Sequence, residues 1–453
     1  MFKKVLIANR GEIALRVIRA CKELGIETVA IHSDVDRETL PVLAADERVC
    51  VGPAPATKSY LNMPQILTAA KLTEAEAIHP GYGFLAERPD FVEICEENGV
   101  TFIGPSAEAM KLMGDKAEAR KSMIKNKVPV MPGTDDVADV KTARKFGKKY
   151  GFPLMIKAAA GGGGKGMRVA HDESELERLF EQASNEAESA FGDGRIYVEK
   201  FLAKARHIEF QVMADTHGNV VHFGERDCSV QRRNQKLIEE CPSLVLSEEK
   251  RQEGGQIAVN AAKACDYVGA GTVEFLYDEA SEEFYFLEMN TRIQVEHPVT
   301  EEVCGIDLVK EQIRVAAGLK LSVKQEDIVM RGHAIECRIN AEKPDEGFTP
   351  SVGTISKLHF PGGPGVRIDS YLTSGSRVQP FYDSLLAKVI TYGKDREEAL
   401  TRMRRVLDEM IIEGISTTAS FHRGLLDNDF FLRGDIHTTF VETVYRGEAS
   451  TEN

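Results

Sequence analysis

Short apolar runs alternate with amphipathic stretches through the first hundred residues. Val5, Leu6, Ile7 and Ala8 form an apolar run of the kind a parallel sheet buries on both faces. Ile13, Val17, Ala20 and Leu24 then fall at helical spacing, and Gly25 stops that helix. Residues 26–33 (IETVAIHS), 76–80 and 100–104 read as further strands, with a helix over 87–97. Strand alternating with helix predicts a doubly wound parallel sheet. Its first strand–helix turn, NRGE, has one glycine and lacks the dinucleotide fingerprint, so the sheet carries no expectation of NAD binding.

The pattern changes after residue 114. A small α/β unit over about 128–203 carries KAAAGGGGKGM (157–167), and FPLMIK and MRVA on either side read as strands. A P-loop must open a helix and follow its lysine with Ser or Thr; here Gly166 follows Lys165. The glycines therefore read as a hairpin tip, either a flap over a nucleotide with Lys157 and Lys165 near its phosphates, or a surface hairpin without a ligand. Strands dominate next (207–214, 219–225, 271–277, 283–290), interrupted by a helix near 247–265. Short strands and an amphipathic helix over 397–410 make up a last region. The expected fold is α/β and α+β multidomain. Its parts are an N-terminal doubly wound sheet (1–114), a central α+β body (115–330), a C-terminal α+β domain (331–446) and a tail (447–453).

Composition narrows the function. There are 57 basic and 71 acidic residues, a net charge of −14, which argues against nucleic acid or an anionic membrane as the main partner. Eight scattered cysteines form no C-x-x-C pair, so neither a disulfide scaffold nor a zinc site is expected. No apolar run approaches transmembrane length, and the expectation is a cytoplasmic protein.

LEMNTRIQVEHPVT (287–300) is the most informative stretch. Glu288, Asn290, Arg292, Gln294 and Glu296 are alternate residues, and an extended chain would project all five to one side, with Pro298 ending the strand. An acid, an amide, an arginine, an amide and an acid in file read as a site rather than a solvated face. Glu274 lies between Val273 and Phe275 and reads either as a metal ligand or as a solvent-facing strand residue. With Glu288 and Asn290 it could supply the few oxygen ligands that nucleotide-bound Mg²⁺ takes. Lys116, Lys157 and Lys236 are candidate cations for phosphate oxygens. YVEKFL (197–202) could offer backbone groups to a purine edge. AMKL (109–112) has the look of a biotin-acceptor tetrapeptide, but it falls in a predicted helix, so Lys111 is not expected to carry biotin.

ANRGEIALRV, HPGYGFLAE, LMGDK, KAAAGGGGKGM, ERDCSVQRRNQK, FLEMNTRIQVEHPVT, GHAIECRINAE and FYDSLLAK, in this order, resemble the biotin carboxylase family of the ATP-grasp superfamily. The resemblance runs from about residue 3 to about residue 445. It implies a ligase that forms carboxyphosphate from ATP and bicarbonate and passes the carboxyl group to a biotin ureido nitrogen. By motif, Lys116, Lys157, Gly163, Gly164, His207, Gln231 and Asn234 would contact nucleotide, with Glu199, Lys200 and Leu202 facing the adenine. Glu274, Glu288 and Asn290 would hold Mg²⁺ or Mn²⁺. Lys236, Arg292, Gln294 and Val295 would hold bicarbonate, and Glu296 would be its base. Arg338 would stabilise the biotin enolate, with Tyr82 near the biotin.

Three positions depart from the family pattern: Asn234 where histidine is frequent, Thr418 where asparagine is frequent, and Pro364 where some bacterial members have an aromatic at a dimer contact. The resemblance also implies a homodimer that works with a biotin carboxyl carrier protein and a carboxyltransferase, because no acceptor or transferase domain is legible in the chain. The parent complex could be an acetyl-CoA, pyruvate or other acyl-CoA carboxylase. The alternative is another ATP-grasp enzyme that joins a carboxylate to an amine.

Overall fold

The computed structural model describes residues 1–134, 139–158, 167–191, 194–202 and 204–445. These fall into two compact units: residues 1–128, 206–275 and 288–453 form the first, and residues 129–205 and 276–287 the second.

The first unit opens with β1 (Lys4–Ile7), α1 (Gly11–Glu23), β2 (Glu27–Ser33), β3 (Glu47–Gly52), α2 (Met63–Leu72), β4 (Ala77–His79), α3 (Pro89–Glu97) and β5 (Thr101–Phe102). The five strands make one parallel sheet in the order β3-β2-β1-β4-β5. Val5, Leu6, Ile7 and Ala8 are fully buried, as a strand covered on both faces requires. Gly25 takes a φ of +71° just past α1, a conformation glycine adopts without steric cost. Asn9, in the first turn, donates from Nδ2 to the carbonyls of Pro80 and Tyr82, and so fixes the GYGFLAE loop that follows β4.

The second unit holds α4 (Val140–Tyr150), β6 (Leu154–Ala158), β7 (Met167–Ala170), α5 (Glu173–Phe191) and β8 (Ile196–Lys200). Its strands pair antiparallel in the order β7-β6-β8. Leu154, Ile156 and Val198 point into a core with Ala143, Phe146, Leu176 and Phe180 from the helices. Period-2 alternation then turns Lys157 and Glu199 to the opposite face, where they form an ion pair. The expected strands flanking the glycine run are present and pair with each other. The run itself, with Gly163 and Gly164, lies outside the described residues.

The chain continues through β9 (Arg206–Ala214), β10 (Val220–Arg232), β11 (Gln235–Cys241), α6 (Glu248–Lys263), β12 (Gly269–Asp278), β13 (Glu283–Asn290), α7 (His297–Cys304), β14 (His333–Asn340), β15 (Val366–Ser370), β16 (Leu385–Gly393), α8 (Arg396–Glu409) and α9 (Ala419–Leu425). One sheet joins eight of these strands in the order β13-β12-β9-β10-β11-β14-β16-β15. In β14, Ile335, Cys337 and Ile339 pack in a core with Leu400, Met403 and Val406 of α8. The alternate residues Glu336 and Arg338 are therefore turned to the other face, and that parity aims Arg338 at the site. AMKL lies in the helix Ala107–Gly114, where exposed Lys111 pairs with Glu93.

One expectation fails. The strand through Glu288 and Asn290 ends at Asn290 instead of running on to Pro298. Residues 291–296 turn, and Pro298 sits in the first turn of α7. Proline lacks an N–H but has a φ suited to a helix start, where that N–H has no intrahelical partner.

Candidate active site

Lys236 is the centre of the site. Its ammonium lies 2.5 Å from Glu209, 2.9 Å from Glu274 and 2.6 Å from Glu296. Burial opposes its charge, but the three carboxylates outweigh that and hold the ammonium well above its ordinary pKa. The same balance holds Glu274 and Glu296 below the ordinary carboxylate range: burial would raise both, and Lys236 with His207 or Arg338 prevails. Glu274 is buried, which removes its reading as a solvent-facing residue.

Arg338 joins the same network from β14, with Nε 2.6 Å from Glu239 and Nη2 2.9 Å from Glu296. Its backbone is bracketed where β11 leaves the ladder. Thr418 Oγ1 donates to the Arg338 carbonyl and accepts from Asn340 N, and His422 Nε2 lies 2.7 Å from the same carbonyl. Thr418 thus fills a position that uses both a donor and an acceptor; an amide offers both as well, so nothing in the structure explains a hydroxyl there in place of asparagine.

The 290–296 turn still gathers the file of polar residues, by a different route from the one the alternation suggests. Asn290 and Gln294 donate to Glu274 Oε1, Arg292 pairs with Glu87 at 2.8 Å and reaches Asn290 Oδ1, and Glu296 turns to Lys236 and Arg338. The Val295 carbonyl accepts from Lys388. A turn brings five groups closer together than a strand could, because a strand spaces same-side residues nearly 7 Å apart, at roughly 3.3 Å per residue.

His207 lies 3.1 Å from Glu274. Gln231 is buried on β10 opposite Lys236. Asn234 and Arg233 form the two-residue turn between β10 and β11, with φ of +64° and +48°. Such turns select asparagine, which gives the Asn234 departure a local cause. Tyr82 donates to Glu12, which also meets Lys388 at 3.2 Å. Lys116 is exposed and lies 3.7 Å from Glu288. In the second unit the Lys200 amide bonds the Pro132 carbonyl, and Leu202 follows it.

Glu274, Glu288 and Asn290 lie on the adjacent strands β12 and β13 and offer hard oxygen donors, the set a Mg²⁺ ion with phosphate ligands takes. His207, Glu209 and Glu274 also bring ligand atoms within 4.8 Å of one another. Lys236 touches both of those carboxylates, so an ammonium already supplies the charge a metal would there.

Residues 1–110 match the biotin carboxylase N-terminal domain, residues 115–324 the carbamoyl-phosphate synthase L chain ATP-binding domain, and residues 336–443 the biotin carboxylase C-terminal domain. Biotin carboxylase 1 of Bacillus subtilis is 56% identical over 444 residues, 98% of this chain and 99% of that one. The chain belongs to the biotin carboxylase family. A pyruvate carboxylase subunit of Methanothermobacter thermautotrophicus is 53% identical, covering 99% of this chain and 91% of that one. The biotin carboxylase domain dimer of Hydrogenobacter thermophilus 2-oxoglutarate carboxylase, solved with MgADP, ADP and bicarbonate, superposes with a TM-score of 0.88 at 50% identity, covering 98% and 97% of the two chains.

Four residues of this biotin carboxylase fold were not singled out by sequence reasoning: Glu87, Glu209, Arg226 and Glu239. Arg226 is fully buried. It bonds Glu209 at 2.6 Å, Gln211 and Gln294 at 2.9 Å, Thr300 at 3.0 Å and Thr272 at 3.2 Å. A signal existed: Glu209 and Gln211 on one strand, and Thr272 and Glu274 on another, are polar at alternate positions of otherwise apolar runs. Among the described residues, no helix is long and apolar enough to cross a membrane.

Proposed function

We propose that the chain uses ATP and bicarbonate to carboxylate biotin carried on a separate protein. One observation carries this reading: a single ammonium, Lys236, joins the acid assigned to the metal, Glu274, to the acid assigned as base, Glu296. Bicarbonate is a weak nucleophile and gains from a fixed carboxylate base. Glu296 is ionised throughout the neutral range, so it is ready to take the proton. Lys236 and Arg292 are the cations for the bicarbonate oxygens, with Gln294 and the Val295 backbone beside them. Arg338 meets the charge that grows on the ureido oxygen as its nitrogen loses a proton.

By motif, His207, Gln231, Asn234, Lys116, Lys157, Glu199, Lys200, Leu202, Gly163 and Gly164 are the nucleotide residues. Glu274, Glu288 and Asn290 would hold Mg²⁺ or Mn²⁺, which when bound neutralises the phosphate charge. Tyr82 lies on the biotin side. The domain bounds proposed are 1–114, 115–330 and 331–446. The partners proposed are a biotin carboxyl carrier protein, a carboxyltransferase and a second copy of the chain. A cytoplasmic location fits a chain of this composition.

The test is phosphate release by the purified chain with Mg²⁺ and bicarbonate, with and without free biotin. Release that requires bicarbonate and rises with biotin is expected. Turnover driven by an amine substrate, indifferent to biotin, would replace this reading with that of a carboxylate–amine ligase.

A further inference from the structure

Behind Arg338 the sheet buries two more carboxyl groups. Glu239 on β11 and Glu336 on β14 are directly opposed in the antiparallel register, which sets their β-carbons about 5 Å apart on one face. Both residues are fully enclosed. Glu239 Oε1 accepts from Arg338, while its Oε2 accepts no hydrogen bond from the described residues, and neither oxygen of Glu336 does. Facing acceptors without a donor are costly in a buried ladder. A hydrogen atom on one carboxyl resolves the conflict, because a protonated acid donates and the facing oxygen accepts.

The surrounding charges require the same count. Lys236, on the same strand as Glu239, is committed to Glu209, Glu274 and Glu296. Lys388, on β16, bonds the Val295 carbonyl and lies 3.2 Å from Glu12 and 3.9 Å from Asp369. Arg338 serves Glu239 and Glu296. His297 is neutral, because burial, with Lys388, Arg16 and Arg367 nearby, holds its imidazole well below the ordinary value. Burial pushes the Glu336 carboxyl well above the ordinary range and that of Glu239 up to about 7.

We propose that Glu239 and Glu336 share one proton, and that this pair is a positioning device that keeps the Arg338 charge available to substrate. With both acids ionised, Glu239, Glu296 and Glu336 would compete for one guanidinium; one proton removes a competitor. The proposal rests on reading Arg338 as the cation that meets biotin.

Infrared spectroscopy of the full chain tests the proton without using that reading. The carbonyl band of a protonated carboxylic acid is expected at neutral pH. It should fade at alkaline pH and be missing from Glu336→Gln. Absence of the band from the wild-type chain overturns the shared proton, whether or not the variant folds. Kinetics test the role. In the wild type the KM for biotin should rise with pH, approaching about tenfold per pH unit above the second ionisation of the pair. In Glu336→Gln it should stay flat, with the KM for ATP unchanged. A band with no alkaline rise in the biotin KM overturns the positioning role. If Arg338→Ala leaves the biotin KM unmoved while the band persists, the reading of Arg338 fails and the proton stands.

Discussion

Replacing Arg338 with alanine separates the two halves of the reaction. The guanidinium holds Glu239 at 2.6 Å and Glu296 at 2.9 Å, and in the proposed mechanism it faces the oxygen on which charge develops. Loss of one such donor costs about 3 kcal/mol of transition-state stabilisation, on the order of 100-fold in rate. The fold should survive. The Glu239 carboxyl sits at about 7 even with its arginine present, so neutralising it at pH 7 costs well under about 1.4 kcal/mol. Lys236 also remains to hold Glu296. In the proposed mechanism the ATP side depends on Glu274 and His207, whose mutual contact does not include Arg338. The assay is steady-state carboxylation of free biotin beside bicarbonate-dependent ATP hydrolysis without biotin. The expected result is a loss on the order of 100-fold in kcat/KM for biotin, with the KM for ATP within about threefold. A rise in the ATP KM in proportion to the biotin defect would refute the reasoning, because it would mean that Arg338 supports the whole network rather than one substrate.

Two further outcomes concern the scaffold around the site. Arg226→Met leaves Glu209, Gln211 and Gln294 short of a buried donor, so urea unfolding should show a loss of about 3–5 kcal/mol; a loss under about 1 kcal/mol would mean these groups repair one another. Glu240 is held far below its ordinary value: burial would raise it, but Arg396, at 2.6 and 2.9 Å, and His333 prevail. A depressed acid contributes stability that is present above the ordinary value near 4.5 and lost as pH falls through the folded one. Glu240→Gln should therefore be clearly less stable than wild type at pH 7, and the gap should narrow steadily in thermal melts below about pH 4; a gap of constant size would refute the linkage.

The outer architecture was legible because it is written in local periodicity. The four-residue apolar run at Val5 and the helical spacing of Ile13, Val17 and Ala20 need no tertiary information to be read. The candidate site was legible in membership and less so in shape. Period-2 spacing named Glu288, Asn290, Arg292, Gln294 and Glu296, yet the strand stops at Asn290, and a turn and helix α7 carry the rest. Alternation and a turn followed by a helix start are not distinguishable over six residues when the deciding feature, Pro298, is compatible with either. Asn234 and Thr418 show a further limit. Asn234 sits in a turn that needs positive φ, and Thr418 bonds the Arg338 carbonyl and the Asn340 amide; neither setting exists until the strands are paired.

The buried groups were hidden for a deeper reason. Arg226 reads as one more cation in a basic stretch, and Glu239 as one more acid beside Glu240, because a residue letter does not carry its degree of burial. Register supplies that information. Arg226 opposes Glu209 on the next strand, and Glu239 opposes Glu336. The first is a pair of opposite charges and is satisfied as it stands; the second is a pair of like charges and needs a proton. The same ladder that gives Lys236 three carboxylates leaves both Glu336 oxygens without a hydrogen-bond donor among the described residues, and Lys388 and Arg338 do not outweigh its burial. An acid in that position can be kept only if it is neutral. Charge at the site is thus set by which side chains the register places opposite one another, and pH should act on biotin through the Glu239–Glu336 pair.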